Sequence, residues 1–331
     1  MNLHPYARIR PTAAPRGTLT AATLTLAALA LFNKLAAGRA ERRNPPRGRF
    51  ITVDRVKLHV LEKGQGSPIL LLHGNGTSAE DFRVSGVFDR LAADHRVIAI
   101  DRPGFGHSER PRGRDWSAEA QAALMVHACA ELGVERPVVV GHSWGTLVAM
   151  RMALDHPDAV SGLAVLSGYF TPTPRADVPT GALPALPVIG DVLRYTVMPV
   201  LGWLMTPLVF KKMFQPSPVS TRFMAGFPLG LALRPSQLRA AGADTARMIQ
   251  GAAGIQEKLG ELRVPLVILA GTGDKIVDYE TQSAGLHDSV AGSELHPVPG
   301  AGHMVHHIAP IAVTEAIQAL VARVAPRQIT A

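Results

Sequence analysis

Residues 138–150 read VVVGHSWGTLVAM: three valines run into Gly141-His142-Ser143-Trp144-Gly145 and then into residue types that suit a helix. The apolar run reads as a buried strand that hands over directly to a helix. A serine flanked by glycines at that junction fits a sharp, strained turn at the strand's C-terminal end, which lifts Ser143 to the mouth of a sheet. Gly141 and Gly145 are small because residues on either side of such a turn approach too closely for side chains. The helix that follows points its positive end at whatever reacts on the serine.

Working outward, short apolar runs alternate with helical patterns from Phe50 onward. "ITV" and "KLHVLEKG" read as a hairpin, followed by strands in "SPILLLHG", "RVIAID", "PVVVG", "GLAVLSG", "PLVILAG" and "ELHPVPG". Helices are expected in "SAEAQAALMVHACAEL", "TLVAMRMALDHP", "YETQSAGLHDSV" and "PIAVTEAIQALVARV". Continuous Val, Ile and Leu strands separated by helices mean an α/β domain with a mostly parallel sheet covered on both faces. One interval breaks the rhythm. Residues 169–261 are longer than a crossover needs and are rich in Pro, Leu, Met and Phe, so they read as a mostly helical insertion. Its last part, "RPSQLRAAGADTARMIQGA", has helix character, and its earlier part is too proline-rich for long helices.

Other strand ends carry matching chemistry. "LLLHGNG" leaves backbone N–H groups free near the same crevice, so those of Asn75 and Trp144 form a candidate oxyanion hole. "AGTGDKIVD" offers Asp274 after one late strand, and "PGAGHMVHH" offers His303 after the last. Serine, aspartate and histidine, each just beyond a strand's C-terminal end, make a coherent set. With "HGNG" (73–76), "DRPGFGHS" (101–108), "GHSWG" (141–145), "GTGDKIV" (271–277) and "GAGHMVHH" (300–307), the chain resembles the α/β-hydrolase fold family over residues 50–327. The resemblance implies an eight-stranded sheet, a helical lid inserted after the sixth strand, and an esterase- or lipase-like serine hydrolase. The expected organisation is an N-terminal segment 1–49, a core of 50–168 and 262–327, and a lid of 169–261.

The roles follow from chemistry. A serine hydroxyl needs a base, so His303 takes its proton during attack and returns it to the leaving group, while Asp274 fixes the imidazole tautomer. Asp278 competes with Asp274 for the acid. His73 and His142 are strand-end residues that orient loops, and Asp101 and Arg102 shape their turn. No metal is expected at His303, His306 and His307, since no carboxylate or cysteine stands nearby at a ligand spacing. No cofactor is expected. Haloalkane dehalogenases and epoxide hydrolases of this fold resemble the motif with aspartate as nucleophile, so Ser143 favours hydrolysis of an ester, thioester or related acyl bond. Perhydrolases, C–C bond hydrolases and acyltransferases share the same triad. A binding protein or receptor on this fold is the reading from another class.

The net charge of +8 is concentrated at one end. Of 34 Lys and Arg and 26 Asp and Glu, residues 1–55 hold ten basic side chains against Glu41 and Asp54, and the remainder is balanced at 24 of each. A balanced domain has no excess to neutralise phosphates, so nucleic acid is not an expected partner. The basic residues surround the uncharged "TLTAATLTLAALALF" (18–32), and Gly17 to Asn33 spans 17 residues, about 25 Å as a helix. Lys34, Arg39, Arg42 and Arg43 follow it closely, unlike the uncharged cleavage region of a secretory signal. Membrane association through residues 18–37 is therefore expected, with a cleaved signal peptide and export as the alternative. Six Lys or Arg from Lys34 to Arg49, against Arg8, Arg10 and Arg16, place the catalytic domain toward the cytoplasm. "NPPRGRF" reads as an extended linker. The single cysteine, Cys129, sits in a helical pattern as a small buried residue. The expected substrate is a small apolar acyl compound.

Overall fold

The computed structural model describes residues 16–325. Arg8 and Arg10 of the charge bias lie outside the described residues, as do residues 1–15 of the expected N-terminal segment and 326–327 of the expected core. Among the described residues there are eight strands: β1 (Arg49–Val53), β2 (Val56–Lys63), β3 (Pro68–Leu72), β4 (Arg96–Ile100), β5 (Val138–His142), β6 (Gly162–Leu166), β7 (Leu266–Gly271) and β8 (Glu294–Val298). They form one sheet in the order β1-β2-β4-β3-β5-β6-β7-β8. The β1–β2 hairpin and the β2–β4 pair are antiparallel, and the other pairs are parallel.

Why these runs are strands is visible in their two faces. Leu70, Leu72, Val139 and Val165 fill one apolar layer with the helices Ala118–Glu131 and Gly145–Asp155. Ile69, Leu71, Val138 and Val140 fill the opposite layer with the helices Val87–Leu91 and Pro310–Val324. Alternate side chains point to opposite faces, so a strand covered on both sides must be apolar at every position. Register then aligns the functional ends, with Leu72 opposite Gly141 and Gly271 opposite Val298.

Between β6 and β7 the chain runs through helices Val178–Ala182, Ile189–Tyr195, Val197–Phe214, Thr221–Gly226, Leu229–Ala232 and Pro235–Gln256. The expectation that prolines bar long helices from the earlier part is overturned by Val197–Phe214, an 18-residue helix containing Pro199 and Pro207. Pro199 falls in the first turn, where the missing N–H would have had no intrahelical acceptor. Pro207 removes one hydrogen bond, and the rest of the helix carries that loss.

The N-terminal helix, Arg16–Arg43, is also longer than the apolar run. It continues through the basic residues to the edge of the Pro45-Pro46 linker, and its C-terminal part packs on the insertion. Asn33 Nδ2 donates to the carbonyls of Tyr195 at 3.0 Å and Thr196 at 2.5 Å. Arg234 Nη1 pairs with Glu41 at 2.9 Å.

Candidate active site

Ser143 sits just beyond β5 with φ of +50°, a left-handed conformation that non-glycine residues rarely adopt. Its N–H donates to Leu166 O at 2.9 Å, which fixes the turn to β6. The flanking glycines are required by backbone proximity. A Cβ on Gly145 would lie 2.2 Å from Leu72 O, and one on Gly141 would lie 2.7 Å from Gly145 O.

Ser143, His303 and Asp274 come together from three strand ends. His303 Nε2 is 2.9 Å from Ser143 Oγ, and His303 Nδ1 is 2.8 Å from Asp274 Oδ2. The other Asp274 oxygen accepts the N–H groups of Ile276 at 2.7 Å and Val277 at 3.1 Å, so the carboxylate is held in place on both sides. Asp278 stands elsewhere: its Oδ1 accepts the Thr281 N–H at 2.8 Å on the exposed surface, as a helix cap. The loop after β3 lies directly against the serine, since a Cβ on Gly74 would be 3.1 Å from Ser143 Cβ. Among the described residues, neither the Asn75 nor the Trp144 backbone N–H has a hydrogen-bond acceptor.

That loop is held from below. The buried His73 donates Nδ1–H to Gly74 O at 2.8 Å and accepts the Arg102 N–H at Nε2 at 2.9 Å. Burial, followed by the Arg102 guanidinium, pushes its pKa down to about 4, so the ring stays neutral in this role. Arg102, fully buried, donates Nε–H to His73 O at 2.8 Å and Nη2–H to Gly74 O at 3.2 Å. Its charge meets Asp244 of the insertion at 2.7 Å, and Arg110 meets the same carboxylate at 2.8 Å. The Trp144 indole, stacked under Arg102 at 4.5 Å, donates to Asp244 O at 2.9 Å. Asn75 Nδ2 also reaches the insertion, at Ala241 O (3.1 Å) and Thr245 Oγ1 (3.0 Å). Asp101 binds the His59 ring and the N–H groups of Ala79 and His107, each at 2.8 Å, and so shapes its turn. Sequence reading missed Asp244 as the partner of Arg102, because 142 residues separate them and nothing local marks Asp244.

The histidines near His303 acquire a carboxylate that sequence spacing did not reveal. Asp81, buried in the helix Glu80–Ser85, accepts His306 Nε2–H at 3.0 Å and His307 Nε2–H at 2.8 Å. The statement that no carboxylate stands near them is thus corrected: Asp81, His142 and His306 have ligand atoms within 4.8 Å of one another. Both Asp81 oxygens are engaged by these imidazoles, which makes the cluster a hydrogen-bonded brace behind the serine turn. His142 Nε2 donates to His303 O at 3.1 Å, and burial holds its pKa well below the ordinary histidine value. Cys129 is buried, and burial pushes its thiol up to about 12, too high for a nucleophile.

A sequence model of the alpha/beta hydrolase fold matches residues 67–310, which hold Ser143, Asp274 and His303. The chain belongs to the α/β-hydrolase fold family. This α/β-hydrolase is 26% identical over 266 residues to 2-hydroxy-6-oxo-2,4-heptadienoate hydrolase of Pseudomonas putida, covering 78% of this chain and 90% of the relative. Two solved structures share its fold. One is a bacterial membrane phospholipase A, with a TM-score of 0.64 and 21% identity, covering 93% of this chain and 95% of that one. The other is a thermophilic esterase from Thermogutta terrifontis, with a TM-score of 0.67 and 23% identity, covering 83% and 98% respectively.

Proposed function

We propose that this α/β-hydrolase cleaves an ester or related acyl bond of an apolar substrate through an acyl-enzyme on Ser143. The observation that carries this reading is the unbroken chain from Ser143 Oγ through His303 to a doubly anchored Asp274. His303 takes the hydroxyl proton as Oγ attacks the acyl carbon and then delivers it to the leaving oxygen. Asp274 keeps Nδ1 protonated and stabilises the transient imidazolium. The free N–H groups of Asn75 and Trp144 receive the oxyanion, and water, deprotonated by His303, releases the acid.

Residues 169–261 act as the lid in this reading. Their helix Pro235–Gln256 is its fixed base, clamped to the loop after β3 through Asp244. The N-terminal helix keeps the enzyme at a membrane through residues 18–37, with the catalytic domain on the cytoplasmic side. The substrate is a small apolar acyl compound, and no metal or cofactor takes part.

A C–C bond hydrolase on the same three residues is the second reading, favoured by the relationship to the heptadienoate hydrolase. Purified protein assayed on a panel of acyl esters and on 2-hydroxy-6-oxo-2,4-heptadienoate separates the two. Ester turnover that disappears in Ser143→Ala supports the first. Turnover of the dienoate alone replaces it with the second, and none on either substrate sinks both in favour of a binding protein.

A further inference from the structure

Exposed apolar side chains are concentrated on one part of the molecule. Among the described residues, twelve large ones fall between Leu186 and Val209, five lie on the N-terminal helix, and three lie elsewhere. The helix Val197–Phe214 carries much of this surface, with Leu201, Trp203, Leu204 and Leu208 each at least half exposed. Burying such a surface in water requires a partner, since scattered exposed leucines are ordinary but a contiguous patch is not.

Two features say what that partner is. First, the N-terminal helix cannot enter a bilayer alone. Asn33 is latched to the Tyr195 and Thr196 carbonyls, and Phe32, Ala36 and Ala37 wall an apolar cavity of about 380 Å³ with Pro199, Trp203 and Leu233. The stretch from Arg16 to Leu31 is only about 24 Å of helix, short of a hydrocarbon core of about 30 Å. Membrane entry as deep as residue 37 therefore carries the insertion with it. Second, charge is arranged for headgroups. The Val197–Phe214 helix is uncharged until Lys211 and Lys212 at its C-terminal end, and both are exposed, as is Lys34 on the neighbouring helix. Exposed lysines at the edge of an apolar face suit an anionic lipid surface.

We propose that the helix Val197–Phe214 lies in the interfacial layer of a lipid bilayer beside the N-terminal helix, so that the insertion itself is a membrane-docking element. The inference rests on the membrane reading of residues 18–37. It places the exposed apolar side of the insertion where apolar esters partition and fixes the orientation of the domain through Asn33.

Trp203 reports on it directly, because Trp116 and Trp144 are buried. The full chain is reconstituted into mixed phosphatidylcholine and phosphatidylglycerol vesicles, with and without bromine on the acyl chains. Trp203 emission is taken as the difference between wild type and Trp203→Phe. The expected result is a shift to shorter wavelength and loss of most of that emission to the bromolipid, with protection from aqueous acrylamide. Leu204→Glu with Leu208→Glu should abolish the bromolipid quenching while the chain still sediments with vesicles. Sedimentation without bromolipid quenching overturns the proposal and leaves the anchor standing. In that case acrylamide quenching means that the face is in water, and shielding from both quenchers means that a second copy covers it. Failure to sediment overturns the membrane reading and the proposal together.

Discussion

Replacing Asp244 with asparagine removes the charge on which two arginines converge. Arg102 and Asp244 are fully buried, and Arg110 is nearly so, with N···O distances of 2.7 and 2.8 Å. Asparagine keeps one acceptor but turns an N–H donor toward a guanidinium donor and leaves the Arg102 cation without its counter-charge. Breaking a buried pair in this way costs about 3–5 kcal/mol. A pair of similar length on the surface gives the scale: Lys63 and Asp89 stand 2.6 Å apart and about half exposed, so Asp89→Asn should cost at most about 1 kcal/mol. Urea melts of the detergent-solubilised protein, followed by tryptophan emission, measure both; Trp144, stacked on Arg102, sits inside the region that loosens. Because Arg102 also holds the carbonyls of His73 and Gly74, turnover at saturating substrate should fall in Asp244→Asn even at temperatures where it stays folded. If Asp244→Asn melts no earlier than Asp89→Asn, the clamp between the insertion and the loop after β3 contributes nothing, and the reasoning fails.

Asp274→Asn should lower kcat on an ester substrate by about four orders of magnitude through the wrong imidazole tautomer, whereas Asp278→Asn, whose amide oxygen can still accept the Thr281 N–H, should stay within about twofold of wild type and lose less than about 0.5 kcal/mol of stability; steady-state kinetics and urea melts of both variants decide it. Gly145→Ala forces a Cβ to 2.2 Å from Leu72 O and should cost about 3 kcal/mol or abolish folding, while Gly260→Ala, with open space around it, should be neutral in the same thermal melt. His73 and His306 have pKa values depressed to about 4, so between an unfolded value of about 6.5 and that value the unfolded chain binds the extra protons. Stability should therefore be fully present above about pH 6.5 and fall toward pH 4, with each histidine adding a slope of up to about 1.4 kcal/mol per pH unit; His306→Gln should make the slope shallower, and an unchanged slope in urea melts across that range would count against a buried neutral His306.

The sheet was legible because a strand covered on both faces must be apolar at every position, and runs such as ILLL (69–72) and VVV (138–140) can hardly be anything else. Ser143, Asp274 and His303 were legible for a related reason: each follows such a run and is marked by neighbouring glycines that the close approach of backbone demands. Sequence left the choice between Asp274 and Asp278 open, since both lie in one loop. The bonds from His303 and the N–H groups of Ile276 and Val277 separate Asp274 from the surface cap. What stayed hidden was paired over distance. Asp244 with Arg102, and Asp81 with His306 and His307, join segments whose meeting is decided by tertiary packing, and a lone aspartate in a helix carries no local sign of its partner. The long helix through Pro199 and Pro207 was misread because proline composition was weighed without position. Nor did the apolar N-terminal run show where its helix ends, because the helix continues through the basic residues to Arg43 and packs on the insertion.

The measurement that bears most directly on the central claim is the covalent one. The folded protein is incubated with a fluorophosphonate, digested, and the modified peptide is located by mass spectrometry. The account predicts one adduct, on Ser143, with labelling lost in Ser143→Ala and strongly slowed in His303→Ala. Undiminished labelling of Ser143→Ala, or an adduct on another residue, would contradict it.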